Sequence, residues 1–251
     1  MLFRSHVLLD KIYSPGGVSS SILAKKNDFK VSTSAIEKVL EKKKTIFITT
    51  THNTHGKFFY EVLQKKNNIY IEKPLSTSRK NLIKIQKFLE KKITHVFYVG
   101  YNRRFSSLND DIISKIKNVG PVFINYNINA SITDLSHWTS NENDGGRLIG
   151  EVCHFIDYCS FILDSEIVNW KCTHLNNLND NLVISLNYSN GSSANINYIT
   201  SGCDSFPKEN IFFHFEKKII NLIDFKKVEY YGFSLFKKSK KLFNQDKGQK
   251  K

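Results

Sequence analysis

The stretch from Gly145 to Asp157 carries the residues whose types and spacing are best suited to chemistry. It indicates a glycine turn that opens a helix. An apolar stripe repeats at three- and four-residue intervals: Leu148, Val152, Phe155, Cys159 and Ile162. A second face carries polar side chains at the same spacing: Arg147, Glu151, His154 and Tyr158. A titratable row on a helix with a full core stripe predicts proton transfer, and the alternative is a solvated face of ion pairs.

A second chemical motif is Glu72-Lys73-Pro74, which directly follows an apolar strand, Ile69 to Ile71. This order places a lysine at the carboxyl end of a parallel strand, where ligands of open α/β sheets bind. Pro74 fixes the turn and removes a donor, and Glu72 can orient or tune the lysine. The tripeptide alone recurs by chance. Three further segments give it weight: 49–55, 100–105 and the helix that follows Gly145.

The elements before Gly100 alternate in type. The pattern predicts a helix over 34–43, a strand over 45–50, a helix over 55–66, a strand over 68–71, a helix over 81–91 and a strand over 94–100. Short strands that alternate with helices of this length indicate βαβ units and a parallel sheet. We therefore expect an α/β Rossmann-like domain over residues 1–100.

After Gly100 the sequence pattern predicts mostly strands. These are expected over 121–130, 167–174, 182–189, 193–200, 211–216 and 219–225. Asn190-Gly191 predicts a hairpin turn. The pattern indicates an α+β domain over residues 101–232, with a largely antiparallel sheet packed by the helix over 147–163. Residues 233–251 are expected to be a basic, mobile tail.

The composition excludes several classes of protein. The 251 residues carry a net charge of +14, but the lysines are dispersed without interleaved aromatics, which disfavours nucleic-acid binding. No apolar run approaches a membrane span, and the first residues lack the apolar core of a signal peptide. The four cysteines form no CxxC pair, which indicates reduced thiols and a cytoplasmic protein.

The ordered motifs resemble the glucose–fructose oxidoreductase/inositol dehydrogenase (Gfo/Idh/MocA) family over residues 5 to 232. One branch is especially similar, through the following segments: Asn129-Ala130, Ser136-His137-Trp138, Gly145 to Asp157, Asp180-Asn181 and Ser205 to Glu209. In that branch the unit is the C-terminal half of bi-domain oxidoreductases of bacterial surface-polysaccharide biosynthesis. The zinc-alcohol-dehydrogenase-like first half of those proteins has no counterpart here.

The resemblance implies hydride transfer between NAD or NADP and a sugar-like alcohol or ketone. Lys73 would hold and polarise the reacting oxygen, and His154 would exchange its proton, with Glu151 as a candidate partner. The implied cofactor-binding residues are Thr50, His52, His55, Glu72, Lys73, Asn102 and Arg103. His137 and Trp138 would face the sugar, or else simply pack in a loop. The resemblance also implies a homo-oligomer formed through the antiparallel sheet.

The chain departs from the family at its start, because there is no GxGxxG. Phe3 to Lys11 aligns with the helix after that loop, so the first strand and the loop are absent. Ser14 to Ser20 aligns with the later turn after the second strand. Losing two or three bonds to pyrophosphate would cost about 3–9 kcal/mol, which weakens or abolishes cofactor binding. The missing strand would be central in the sheet. Either the sheet closes around the gap, or another chain supplies the strand, or the chain is a shortened remnant.

A second departure is Gly150, where most of the family has an aspartate four residues before the histidine. Glu151 is adjacent but points about a quarter-turn away on a helix. Two hypotheses follow: a nicotinamide-dependent dehydrogenase, or a non-catalytic remnant or sugar-binding module that has lost the cofactor. A metal site built from His52, His55, Glu151 and His154 is disfavoured, since no thiolate pair accompanies the histidines.

Overall fold

The computed structural model describes residues 8–41, 44–91, 95–130, 145–175, 181–234 and 238–249. The chain divides into two compact units, Met1–Gly100 (unit 1) and Tyr101–Lys251 (unit 2). Unit 1 is α/β with parallel strands, and unit 2 contains a large, mostly antiparallel sheet. This confirms the predicted fold class. Among the described residues, no helix combines the length and the apolar character that a membrane crossing requires.

The described part of unit 1 contains short strands that alternate with helices. In chain order these are β1 (Lys11–Tyr13), α1 (Val18–Asn27), β2 (Val31–Thr33), β3 (Thr45–Ile48), α2 (His52–Gln64), β4 (Asn68–Ile71), α3 (Arg79–Leu89) and β5 (Phe97–Val99). The strands form two sheets, β1-β2 and β3-β4-β5, and every pairing within them is parallel. The predicted parallel architecture is therefore present but divided.

The core of unit 1 lies between α2, α3 and the sheet β3-β4-β5. Its buried side chains are Ile48, Phe59, Val62, Leu63, Ile69, Ile71 and Ile85. Apolar residues of α2 recur at three- and four-residue intervals, so one face of this helix is buried against the strands. The carboxyl ends of β3 and β4, which carry the candidate residues, are supported by this packing.

Two sequence predictions for unit 1 were wrong. The helix expected over 34–43 is only a 3-10 turn at Ile36–Lys38, because Thr33 Oγ1 accepts the Ala35 N–H (3.0 Å) and Ser34 forms no helix cap. Lys11, expected at the end of a helix, lies in strand β1. Ser14 to Gly17 forms the turn between β1 and α1, and a turn after a strand is what the sequence predicts for this segment.

Unit 2 is built on one eight-stranded sheet. Its described elements are α4 (Asn109–Ile116), β6 (Phe123–Asn129), α5 (Cys153–Leu163), β7 (Ile167–His174), β8 (Leu182–Tyr188), β9 (Ser193–Ile199), β10 (Glu209–Phe215), β11 (Lys218–Ile223), β12 (Lys227–Tyr231) and β13 (Ser239–Lys241). The strand order is β13-β12-β11-β10-β6-β9-β8-β7, and β6 and β9 are the parallel pair. Both helices contribute side chains to one core on one face of this sheet.

The segment after 232 was expected to be a mobile tail, but its described part is attached to unit 2. Strand β13 pairs with β12, and the backbone N–H of Asp246 donates to the Phe225 carbonyl oxygen (2.9 Å). The Asp246 carboxylate accepts the Ser107 N–H (2.8 Å), and Lys247 reaches the buried Glu209. The high lysine content of the segment predicts a solvated tail. Its Asp246 and Lys247 side chains instead contact residues of unit 2.

Candidate functional site

Glu72 and Lys73 lie where strand β4 ends, between the ends of its two neighbours. The Glu72 N–H donates to the Ile48 carbonyl oxygen of β3 (2.9 Å), and the Gly100 N–H donates to the Ile71 carbonyl oxygen (2.7 Å). The peptide bond between Lys73 and Pro74 is cis. Backbone bonds from both sides thus hold the lysine at the carboxyl edge of the sheet, as the sequence predicts.

The Glu72 carboxylate is held by an aromatic hydroxyl. Tyr70 OH donates to Glu72 Oε1 (3.1 Å). Gly100 permits this approach, because a Cβ there would lie 2.9 Å from the Tyr70 hydroxyl and 3.0 Å from Glu72 Oε2. The fixed carboxylate adjoins Lys73 in the chain and can orient its ammonium group.

The His55 ring contacts the backbone of the same turn. Its ring is fully buried; Nδ1 lies 2.7 Å from the Pro74 carbonyl oxygen and Nε2 lies 2.9 Å from that of Thr50. Carbonyl oxygens only accept hydrogen bonds, so a neutral imidazole donates to one of these two oxygens and a protonated one to both. The resemblance implies that His55 lines the cofactor, which stays a prediction; in the structure its ring lies between the end of β3 and the turn after β4.

Thr50 and His52 occupy the same edge, at the start of α2. Thr50 Oγ1 and Thr54 Oγ1 are 2.6 Å apart, and the buried His52 ring lies 5.6 Å from that of His55. The structure therefore brings five predicted residues together in unit 1: Thr50, His52, His55, Glu72 and Lys73. Among the residues it describes, no three His, Cys, Asp or Glu side chains cluster closely enough to hold a metal ion.

In unit 2, a π-helical turn at Leu148–Val152 precedes α5. The extra residue in this turn shifts the register, so the faces predicted from regular helical spacing are partly wrong. Leu148, expected in the core, is 41 % exposed, whereas Arg147 and Tyr158, expected on the polar face, are buried. Turns of this kind are frequent at functional sites.

Arg147 and Glu151 are joined through a tyrosine from β9. Arg147 Nε donates to the Tyr198 hydroxyl (2.9 Å), which donates in turn to Glu151 Oε2 (2.7 Å). Burial and the Glu151 charge raise the pKa of Tyr198. The tyrosine therefore remains a neutral donor, and it fixes the Glu151 carboxylate at the start of the helix that carries His154.

His154 lies in the first turn of α5, beside Tyr101. The two rings meet edge to face, with centroids 6.1 Å apart and planes at 78°. Burial raises the pKa of Tyr101, and the neighbouring Cys153 and Asp157 add to the effect. Asp157, one turn after His154, accepts from Arg104 Nε (2.8 Å), and burial raises the pKa of this carboxyl group against the opposing effect of Arg104.

Arg103 does not present a free guanidinium to a cofactor. Its Nε and Nη2 donate to the two carboxylate oxygens of the buried Glu209 (2.8 and 2.7 Å), and Tyr126 OH donates to the same carboxylate. Asn102 lies in the same 3-10 turn, Asn102–Phe105. The resemblance implies that Arg103 supports the nicotinamide end or a substrate oxygen, which stays a prediction; in the structure its guanidinium neutralises the Glu209 carboxylate inside unit 2.

His137 and Trp138 lie outside the described residues, so their predicted contact with substrate stays a prediction. Three contributors were missed by the sequence analysis: Tyr70, Tyr101 and Tyr198. Tyr101 carried a weak signal, because it directly follows the strand end at Gly100. Tyr198 carried none, since its partners Arg147 and Glu151 are distant in the chain.

Comparison with family models gives two matches. Residues 3–101 match an oxidoreductase family described as an NAD-binding Rossmann fold, and residues 112–224 match the C-terminal alpha/beta domain of the same Gfo/Idh/MocA family. A search of curated protein sequences found no significant match.

Solved structures with the same fold include enzymes and a repressor. The WlbA dehydrogenase from Bordetella pertussis, in complex with NADH and UDP-GlcNAcA, has a TM-score of 0.73 and 15% identity over 85% of this chain and 69% of its own. UDP-N-acetylglucosamine 3-dehydrogenase GnnA from Acidithiobacillus ferrooxidans has a TM-score of 0.75 and 12% identity, over 94% of this chain and 76% of its own. A super-repressor mutant of Gal80p from Saccharomyces cerevisiae has a TM-score of 0.77 and 16% identity, over 98% of this chain and 75% of its own. At these identities the likeness concerns the fold alone.

Proposed function

Because the chain belongs to the Gfo/Idh/MocA oxidoreductase family, we propose that it is an NAD- or NADP-dependent oxidoreductase that acts on an alcohol or ketone of a sugar derivative. The observation that carries the proposal is the position of Lys73, held by backbone bonds at the carboxyl edge of β4 next to the fixed Glu72 carboxylate. Ligands of parallel α/β sheets bind at this edge.

Each candidate side chain has a distinct role in the proposal. The Lys73 ammonium binds and polarises the reacting oxygen, and Glu72 orients it. His154 takes up or returns the proton of that oxygen, since an imidazole changes charge near neutral pH. Glu151, fixed by Tyr198, positions the start of α5 and is the candidate proton partner of His154. His55 positions the turn that bears Lys73.

The residues of the β3 and β4 ends fit one end of a nicotinamide cofactor, which would supply or accept the hydride when bound. Thr50 and His52 would line this end, together with Glu72. Asn102 keeps its proposed place beside the nicotinamide, whereas Arg103 contributes indirectly by pairing with Glu209. Titration with NADH and with NADPH, described below, distinguishes NAD from NADP as the cofactor.

A sugar-type substrate is supported by fold neighbours whose names include UDP-GlcNAcA and UDP-N-acetylglucosamine. His137 and Trp138 are the proposed sugar contacts, and surface-polysaccharide metabolism in the cytoplasm is the proposed setting. We also propose a homo-oligomer through the sheet face opposite the core, where Asn197 Nδ2 lies 2.8 Å from both Asn125 Oδ1 and Asn127 Oδ1.

The test is a titration of the purified chain with NADH and with NADPH, which follows energy transfer from Trp138 and Trp170. Saturation at micromolar cofactor supports the proposal. Turnover of a sugar-nucleotide panel should then be lost in Lys73→Ala and His154→Asn, while both variants keep their fold and His154→Asn keeps its cofactor binding. Lys80→Ala, an exposed lysine on α3, is the matched control and should behave as wild type.

The second candidate function is a non-catalytic module that keeps the sugar-binding half. The observation that favours it is the division of the described parallel strands into two sheets, β1-β2 and β3-β4-β5. The repressor among the fold neighbours is consistent with it. Sugar binding by calorimetry without any response to millimolar NADH or NADPH would favour this candidate over the oxidoreductase.

A further inference from the structure

We propose that residues 245–248, here called the C-terminal strap, position the imidazole of His154. The strap acts through the 3-10 turn Asn102–Phe105, here called the arginine turn, which contacts both the strap and helix α5. The proposal rests on the proposed role of His154 in proton transfer. Every contact in the argument lies within unit 2.

The strap is fixed to the hairpin turn between β11 and β12. The Asp246 N–H donates to the Phe225 carbonyl oxygen (2.9 Å), and Gln245 Nε2 donates to that of Asp224 (2.7 Å). Phe225 is fully buried in the core of unit 2. The strap therefore has a base in the large sheet that does not depend on the arginine turn.

The strap also lies directly against the arginine turn. The Asp246 carboxylate accepts the Ser107 N–H through Oδ2 (2.8 Å) and the Gly248 N–H through Oδ1 (3.0 Å). A Cβ on Gly248 would overlap the Asn102 carbonyl oxygen and lie 2.8 Å from Phe105 Cβ. The φ of Gly248, 78°, favours glycine as well. Glycine thus permits the close approach of the strap to the turn.

A buried ion network joins the strap to the same turn a second time. Lys247 Nζ and Arg103 Nη2 lie 2.5 and 2.7 Å from one oxygen atom, Glu209 Oε1. Glu209 is fully buried, so its charge has to be balanced by these cations. Because both cations share the carboxylate, Lys247 helps to fix the guanidinium of Arg103.

The first residues around the arginine turn flank His154. The ring of Tyr101, which directly precedes the turn, meets the His154 ring edge to face, with centroids 6.1 Å apart. Arg103 Cζ lies 5.0 Å from the ring centroid of Phe155, the next residue of α5. The guanidinium that Lys247 helps to fix is therefore in contact with the neighbour of the histidine.

Further contacts hold the arginine turn on α5. Arg104 Nε donates to Asp157 Oδ2 (2.8 Å), about one helical turn after His154. Asn109 Nδ2 donates to the carbonyl oxygens of both arginines (2.8 and 2.9 Å), and its Oδ1 accepts the Tyr158 hydroxyl (3.0 Å). Strap, turn and helix thus form one continuous set of contacts. A displaced strap displaces the turn and, with it, the surroundings of the His154 ring.

The experiment follows the His154 ring by proton NMR in the full chain. His154→Asn assigns its signal, and Tyr101→Leu gives the position of that signal without the neighbouring aromatic ring. Gly248→Ala places a Cβ between the strap and the turn. We expect it to move the His154 signal toward the position found in Tyr101→Leu. In turnover of the sugar-nucleotide panel, kcat should fall about tenfold or more, with a smaller change in KM.

A matched glycine separates positioning from general destabilisation. Gly232 also has a φ of 78°, and its Cβ would lie 2.7 Å from the Lys217 carbonyl oxygen, but it follows β12 and does not contact the arginine turn. Gly232→Ala should lower the thermal midpoint, as Gly248→Ala does, and leave the His154 signal and kcat as in wild type. Equal movement of the signal in the two variants would overturn the proposal.

A second pair of variants tests the strap without inserting an atom into a tight contact. Lys247→Met removes the cation from Glu209 and should move the His154 signal, whereas Lys247→Arg keeps the cation and should restore it. An unmoved signal in folded Gly248→Ala and Lys247→Met would overturn the proposal. The NMR signal requires neither cofactor nor substrate. Absence of turnover in wild type would therefore overturn the oxidoreductase function, while the signal still decides whether the strap positions His154.

Discussion

Unit 2 closes its strands into one continuous sheet, whereas unit 1 divides its strands between two. Among the described residues, the core of unit 2 contains twenty-nine buried side chains and that of unit 1 seven. Strand β1, helix α1 and strand β2 contribute to neither core. His154 therefore belongs to a unit that supports itself, and Lys73 to one whose support is incomplete. The comparison teaches that the two proposed reactive groups need not survive the same perturbation.

The largest effect should come from the buried charges that distinguish unit 2. Glu209→Ala leaves the buried Arg103 and the half-buried Lys247 without their carboxylate, which should cost about 3–5 kcal/mol of unfolding free energy. Denaturation followed by tryptophan fluorescence reports on unit 2, because Trp138 and Trp170 both belong to it. Glu216→Ala, which breaks an exposed pair with Lys218, is the control and should cost at most about 1 kcal/mol. Equal losses in the two variants would contradict the contrast between units.

Acid should weaken unit 2 through the same carboxylate. Burial by itself raises the pKa of Glu209, but Arg103 and Lys247 outweigh it, so the folded pKa lies below the unfolded value of about 4.3. The stabilisation is complete above the unfolded pKa and is lost as the pH falls toward the folded one. Between neutral pH and about pH 3, wild type should lose about 1–2 kcal/mol more than Glu209→Gln. Parallel pH profiles of the two proteins would refute this reasoning.

A smaller effect is expected in unit 1 at Gly56, where helix α2 approaches the turn after β4. A Cβ at this position would overlap Ser76 Oγ and lie 2.9 Å from Asn81 Cβ. Gly56→Ala should therefore cost about 1–3 kcal/mol by overpacking. Hydrogen exchange of the β4 amides measures it, with Gly16→Ala as control, since a Cβ at Gly16 meets nothing within 4 Å. Should tryptophan fluorescence of unit 2 shift by the same amount, the units would not be independent.

The smallest effect concerns the helix cap of α3. Ser78 Oγ accepts the Asn81 N–H (3.4 Å) at the start of this helix. Ser78→Ala should lower the stability of α3 by about 1 kcal/mol. Ser78→Asn should keep most of the stabilisation, because an amide oxygen can cap in the same way. The readout is exchange of the α3 amides. If the alanine and asparagine variants exchange alike, the serine does not act as a cap.

Much of the fold could be predicted where local pattern and final environment agree. Strands β4 and β7 have the predicted bounds, and the Asn190-Gly191 turn has its glycine at φ 82°, as this hairpin requires. The hairpin between β10 and β11 was also predicted, although its turn uses Glu216 and Lys217 at positive φ, where no glycine signals a turn. Long-range packing, more than turn chemistry, fixes that reversal.

Other features had no local signal. Helix α4 was missed because its apolar residues Ile112 and Ile116 form a short pattern behind Asp110 and Asp111. The site was predicted as residue types at strand ends, and Lys73 and Glu72 lie there. The positioning contacts could not be predicted, since His55 and Arg103 find their partners, Pro74 and Glu209, only when distant segments fold together.

Lys247 has a consequence for the order in which the chain is made. A ribosome releases a protein from its N-terminus, so Arg103 and Glu209 emerge well before the lysine that completes their ion pair network. Until then the nascent sheet holds a carboxylate with only one of its two cations. The ion pair network around Glu209 is therefore completed only once Lys247 has emerged from the ribosome.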